Sequence, residues 1–138
     1  MNLFVCLDEN DGMGFNKRRQ SMDRMVRADM LQTIGEQYLY VNTYTAKQFK
    51  KEESEKLMIG DNFLETVATN AYVFVEDRLL KEYVSNIEKI IVYRWKRAYP
   101  ADIFFDIDLK SSAWKLDLSE EFVGYSHECI GKEIYIKE

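Results

Sequence analysis

The run Leu3–Leu7 (LFVCL) is apolar without alternation, the pattern of a short strand covered on both faces. The pattern then changes twice. Asp8–Gln20 is polar and holds Gly12 and Gly14, which predicts a long loop. MDRMVRADMLQTI follows with apolar residues at helical spacing. At about 100° per residue, Met22, Val26, Met30 and Ile34 form one continuous arc. Ser21 is the expected N-cap, Asp23 favours the same helix end, and Gly35 is the expected stop. Asp29 falls at the edge of the apolar arc. A carboxylate there needs a charged partner, a hydrogen bond or a pocket.

Further along, Tyr38–Val41 predicts a second strand, and Asn42 or Thr43 caps a helix running to about Lys51, with Ala46 and Phe49 facing inward. Leu57–Ile59 predicts a brief strand, Asn62–Thr69 a two-turn helix, and Ala71–Val75 a core strand. Arg78–Val84 continues as a helix with Leu79, Leu80, Tyr83 and Val84 as its apolar stripe. Lys89–Trp95 (KIIVYRW) carries the strongest strand signal, being rich in β-branched and aromatic residues. After Pro100, Ile103–Phe105 pairs at an edge, and Trp114–Phe122 and Glu133–Ile136 close the chain as strands. Strands alternating with helices, then a strand-rich end, predict an α/β domain. Its sheet is mostly parallel with antiparallel C-terminal edge strands, and helices lie on both faces.

Composition narrows the classes. A chain of 138 residues with 46% hydrophobic content predicts one domain spanning residues 1–138. Net charge is −5, so the protein as a whole has no field that draws in nucleic acid or an anionic membrane. No apolar run approaches the roughly 20 residues of a membrane span. Cys6 and Cys129 do not make a disulfide framework, and a reducing, cytoplasmic setting is expected. With His127 the only histidine, a multi-histidine metal site is excluded.

Several stretches, in this order, resemble the dihydrofolate reductase family. LFVCL running into DENDGMG resembles the first strand and active-site loop of those enzymes. RADM resembles their proline-alanine-aspartate-leucine step and puts Asp29 on the family's catalytic acid. VNTYTAKQF resembles the strand-to-helix turn that holds cofactor phosphate, with Asn42 in the turn and Thr45 at the retained threonine. AYVFVEDRLLKEYVSNIEKIIVYRW resembles the strand–helix–strand unit under the cofactor pyrophosphate, and WKLDLSEEF and KEIYIKE the terminal antiparallel strands. The segment between Phe49 and Ala71 is short for a full reductase.

Departures from that pattern bear on function. Glu76 and Asp77 stand where the family carries a glycine pair that lets a helix N-terminus approach the pyrophosphate. Each like-charge contact there costs on the order of 1–4 kcal/mol. Thr43 replaces a phosphate-reading arginine, Arg24 a loop tryptophan, Thr33 an aromatic residue after the acid, and Tyr93 the threonine that supports it. No cofactor is therefore expected, with NADPH as the runner-up.

Asp29 is the candidate catalytic acid or ligand acceptor. Arg18 and Arg19, in the basic run KRRQS, together with Asn42 and Thr45, are the candidate ligand-binding residues, since guanidinium forks suit phosphate. Lys17, Arg18, Arg19, Arg24 and Arg27 make the one concentrated positive region. Asp102, Asp106 and Asp108 lack the glycine-bearing loop of a cation site, so no metal is expected. His127 and Cys129 share a strand face, but nothing in the sequence marks a nucleophile beside them. These features favour a divergent reductase-fold protein that binds a small, phosphate-bearing ligand or a protein partner in place of NADPH. The alternatives are an NADPH-dependent folate or pterin reductase, an RNA-binding or ribonuclease-associated protein, and an interaction module without a ligand.

Overall fold

The Leu3–Leu7 run lies at the centre of the sheet, as its two-faced apolar pattern requires. The structure, a computed structural model, describes residues 1–138. In chain order the elements are β1 (Asn2–Leu7), β2 (Gly12–Phe15), β3 (Arg18–Arg19), α1 (Arg24–Ile34), β4 (Leu39–Val41), α2 (Thr43–Ala46) and β5 (Leu57–Ile59). β6 (Tyr72–Phe74), β7 (Lys89–Arg94), β8 (Ile103–Phe104), β9 (Trp114–Phe122) and β10 (Ile130–Lys137) complete the chain. The main sheet has seven strands in the order β5-β4-β6-β1-β7-β10-β9. β5, β4, β6, β1 and β7 run parallel, while β10 and β9 are antiparallel to their neighbours.

Alternate residues of the central strands feed two separate cores. Leu3, Val5, Leu7, Val73, Ile90 and Val92 pack on one face. Phe4, Phe74, Ile91 and Tyr93 pack on the other, where α1 adds Val26, Met30 and Ile34. The arc read from the helix is therefore its core face, apart from Met22, which precedes α1 and is exposed. Helical segments lie on both faces, but only one face receives a long α-helix. The other is covered by short 3₁₀ turns, Phe63–Glu65 and Lys81–Asn86, contributing Leu64 and Tyr83.

Three helix expectations fail for local reasons. Arg78–Val84 is not an α-helix. The Asp106 carboxylate accepts the N–H groups of Leu80 at 2.7 Å and Lys81 at 3.0 Å, so helical backbone starts only there and ends at Asn86. No helix N-terminus therefore opens at Glu76 and Asp77. The helix expected to reach Lys51 stops at Ala46, although Asn42 does cap it, accepting from Thr45 N at 2.8 Å. Asn62–Thr69 keeps only the 3₁₀ turn at Phe63–Glu65. Gly35 does terminate α1, at φ +61°, a conformation that disfavours residues with a Cβ.

Candidate functional site

The expected loop Asp8–Gln20 is largely a hairpin. Phe15 pairs with Arg18 and Gly14 with Arg19 across the two-residue turn Asn16–Lys17, and both turn residues have positive φ. That is the geometry of a type I′ turn, whose backbone twist matches that of the flanking strands. β8 pairs on the other side of β2, giving a second, three-stranded sheet. Gly14 has no room for a side chain, because a Cβ there lies 2.9 Å from the Arg18 carbonyl oxygen. The loop start is held by buried Asp8, which accepts from the N–H groups of Asn10 and Gly12 at 2.8 Å and of Tyr99 at 3.1 Å. Burial alone would raise its carboxyl pKa. The donors from Gly12, Tyr99, Asn10 and Gln20 outweigh that and hold it below the ordinary range.

Strand geometry separates the two arginines, since successive side chains point to opposite faces. Arg19 turns inward and meets buried Glu76 in a fork, Nε to Oε2 at 2.9 Å and Nη2 to Oε1 at 3.1 Å. Its guanidinium also lies 4.3 Å from the centre of the Tyr44 ring. The Thr45 hydroxyl donates to Glu76 Oε1 at 2.8 Å. Beside this pair, Asn42 Nδ2 donates to both Asp77 oxygens, at 3.0 and 3.1 Å. Three of the four predicted ligand-binding residues are thus brought together, and each is already bound to a carboxylate of this chain. Arg18 alone remains exposed. It lines two surface cavities, about 280 Å³ with Phe15, Gln20, Tyr99 and Pro100, and about 160 Å³ with Lys17, Asp77 and Asp102.

The second candidate centre is Asp29, half-buried on α1. Tyr93, fully buried on β7, donates its hydroxyl to Asp29 Oδ2 at 2.5 Å, and Lys132 on β10 pairs with the same oxygen at 2.7 Å. Burial pushes the Tyr93 phenol well above its ordinary pKa, and the neighbouring Asp29 charge and hydrogen bond push the same way. Tyr93 fills the space under the acid and Lys132 neutralises it.

The expected positive region disperses. Arg19 is consumed by Glu76, Arg27 is buried and pairs with Glu53 at 3.2 Å, and Arg24 stacks over Tyr125. The expected N-cap is also corrected. Asp23, not Ser21, caps α1 by accepting from Met25 N at 2.8 Å. Asp102, Asp106 and Asp108 go to separate partners, the N–H groups of Asn16, Leu80 and Lys110, and no acidic cluster suits a metal ion.

No family model matches the sequence, and no curated protein matches it. Among solved structures, a dihydrofolate reductase from Enterococcus faecalis complexed with NADP(H) and RAB-propyl superposes with a TM-score of 0.69 over 99% of this chain and 95% of that one. This chain has the dihydrofolate-reductase fold. Identity to that enzyme is 13%, so the likeness carries the architecture. Within the dihydrofolate-reductase fold, the mostly parallel sheet and the antiparallel C-terminal pair agree with the sequence reading, and Asp29 sits on α1.

Sequence reasoning missed Lys132 and the group around His127. Lys132 looked like one more polar strand residue, and only the pairing of β10 with β7 sets it opposite Tyr93. His127 lies in the turn before β10 rather than on a strand. Its ring nitrogens meet Ser21 Oγ and Asp23 Oδ2, both at 2.8 Å. The only signal in the sequence was a serine and an aspartate two residues apart beside a helix start.

Proposed function

We propose that this chain is a binding protein built on the dihydrofolate-reductase fold, rather than an NADPH-dependent folate or pterin reductase. The observation that carries the reading is the Glu76 carboxylate, which takes the hydrogen bonds of Arg19 and Thr45 that a cofactor phosphate would need. A phosphate entering there must displace a buried, bidentate ion pair, and breaking such a pair costs about 3–5 kcal/mol. Asp77 holds Asn42 in the same way. The residues present therefore do not fit the dinucleotide. At the other centre Tyr93 and Lys132 both hold Oδ2 of Asp29, so only Oδ1 is left to a ligand and a two-pronged contact to a pterin must displace one of them.

The ligand on this reading is a small phosphate-bearing molecule held at the exposed side of the hairpin. Arg18 is the free guanidinium there, opening on one side to the cavity walled by Tyr99 and Pro100 and on the other to the smaller one it shares with Lys17, Glu76, Asp77 and Asp102. The first, which has no carboxylate in its wall, is the one that suits a phosphate. The free thiols Cys6 and Cys129 suit a reducing compartment such as the cytoplasm. No helix is long and apolar enough to cross a membrane.

The test is a titration with NADPH followed by nicotinamide fluorescence, with pyrophosphate as a parallel ligand followed by calorimetry. No saturation by NADPH up to about 0.1 mM is expected, with pyrophosphate binding weakened by Arg18→Ala. Low-micromolar NADPH binding overturns the proposal. Absence of binding by either ligand favours an interaction module.

A further inference from the structure

The residues around His127 form a relay that the reductase fold does not need. Asp23 is buried and fixed from several directions. Its Oδ1 accepts the N–H groups of Met25 at 2.8 Å and Tyr125 at 2.9 Å, and its Oδ2 accepts Ser126 N–H at 3.0 Å. Burial alone would raise this carboxyl, but those donors and His127 hold it well below the ordinary range. An ionised carboxylate only accepts, so the His127 Nδ1 that lies 2.8 Å from Oδ2 carries the proton. In the neutral ring Nε2 is then a bare acceptor, and it faces the Ser21 hydroxyl at 2.8 Å. The imidazole is also stacked on Trp95, with 4.7 Å between ring centres, which fixes its plane.

We infer that Ser21, His127 and Asp23 form a nucleophile, general base and positioning carboxylate for hydrolysis of small acyl esters. The roles follow from geometry and order of contact rather than from sequence order. Ser21 is half-exposed, whereas Asp23 is sealed, the division of access that a nucleophile and its orienting acid require. An open cavity of about 500 Å³ lies on the other side of the imidazole, lined by Trp95, Arg97, Ser126, His127 and Glu128, while Ser21 stands outside it and meets solvent through its own half-exposed face. α1, which begins after Ser21, leaves the N–H groups of Arg24 and Val26 without a protein acceptor, the type of donor a tetrahedral oxyanion uses.

The chemistry balances with water as the only co-reactant. Ser21 Oγ bonds to the ester carbonyl carbon as its proton passes to His127 Nε2. The C–O bond to the leaving group breaks, and that oxygen takes the proton. Water then repeats the sequence on the acyl-serine, with His127 again accepting and returning one proton, and releases a carboxylic acid and free Ser21.

The folded full chain is treated with a fluorophosphonate probe and digested for mass mapping, and p-nitrophenyl acetate turnover is measured in parallel. The probe should attach at Ser21, and Ser21→Ala should lower turnover at least about 100-fold with an unchanged circular dichroism spectrum. His127→Gln should do the same, and Asp23→Asn should lower kcat while KM stays near the wild-type value. Ser112→Ala, on an exposed turn, should leave turnover intact. Absence of a Ser21 adduct in the folded wild-type chain overturns the inference without relying on any variant, as does wild-type turnover in Ser21→Ala.

Discussion

Arg19 and Thr45 converge on one oxygen, Oε1 of Glu76, from opposite ends of the chain's first ordered hairpin and second helix. The hydroxyl donates at 2.8 Å and the guanidinium at 3.1 Å, while the second guanidinium nitrogen holds Oε2. Removing the carboxylate strands both donors. Glu76→Ala should lose about 3–5 kcal/mol in urea unfolding, while the paired replacement Arg19→Met/Glu76→Leu should recover much of it.

Asp77 is the control for that experiment. It is exposed and bonded only to the Asn42 amide. Asp77→Ala should cost less than about 1 kcal/mol by the same measurement. Similar losses at both positions would mean that burial does not distinguish them.

Two adjacent arginines should behave as different residues. Arg18→Ala should change stability by no more than about 0.5 kcal/mol and weaken pyrophosphate binding. Arg19→Ala, which leaves buried Glu76 unpaired, should cost about 3 kcal/mol or more. Thermal unfolding of the two variants side by side reads the difference.

The plug under Asp29 is testable by a single atom. Tyr93→Phe keeps the ring in the core but deletes the hydroxyl 2.5 Å from Asp29 Oδ2. The expected loss is about 1.5–3 kcal/mol, typical of a hydrogen bond to a charged group. Asp29→Asn should lose a comparable amount and also free Lys132. No loss in Tyr93→Phe would show that the hydroxyl does not support the acid.

Stability should fall at both ends of the pH scale. Asp8 and Asp23 have carboxyls held below the ordinary range by the N–H groups around them. A depressed folded value means that this stability is whole above the unfolded carboxyl pKa, about 4, and drains away as pH drops below it. Tyr93 is raised, so its share is whole below the unfolded phenol pKa, about 10, and is lost as pH climbs beyond it. Melting temperatures across the range check both limbs. Asp8→Asn should flatten the acid limb and Tyr93→Phe the alkaline one.

The sheet was legible because its signals are local. LFVCL and KIIVYRW carry their buried character in their own residues, and they became the paired strands β1 and β7. The hairpin was not legible because its turn is Asn16–Lys17. The positive φ at Lys17 is a conformation usually advertised by glycine, so the basic run read as solvated loop. The missing helix after Asp77 depended on Asp106, a residue 26 positions from Leu80 that captures its N–H. At the candidate site, the position of Asp29 followed from helical phase alone. Its partner Lys132 depended on how distant strands register, and the meeting of Ser21 with His127 across 106 positions on how two distant loops pack. Sequence spacing does not encode that.

The order of strands also fixes when this molecule can acquire its shape during synthesis. β1 emerges first, yet both of its neighbours, β6 and β7, lie between Tyr72 and Arg94, and β7 in turn waits for β10 near the C-terminus. β1 therefore has no strand to zip against until the chain has been made through β6, and its second edge stays open until β7 follows. Refolding should consequently run on the slow, millisecond-to-second side for a chain of this size.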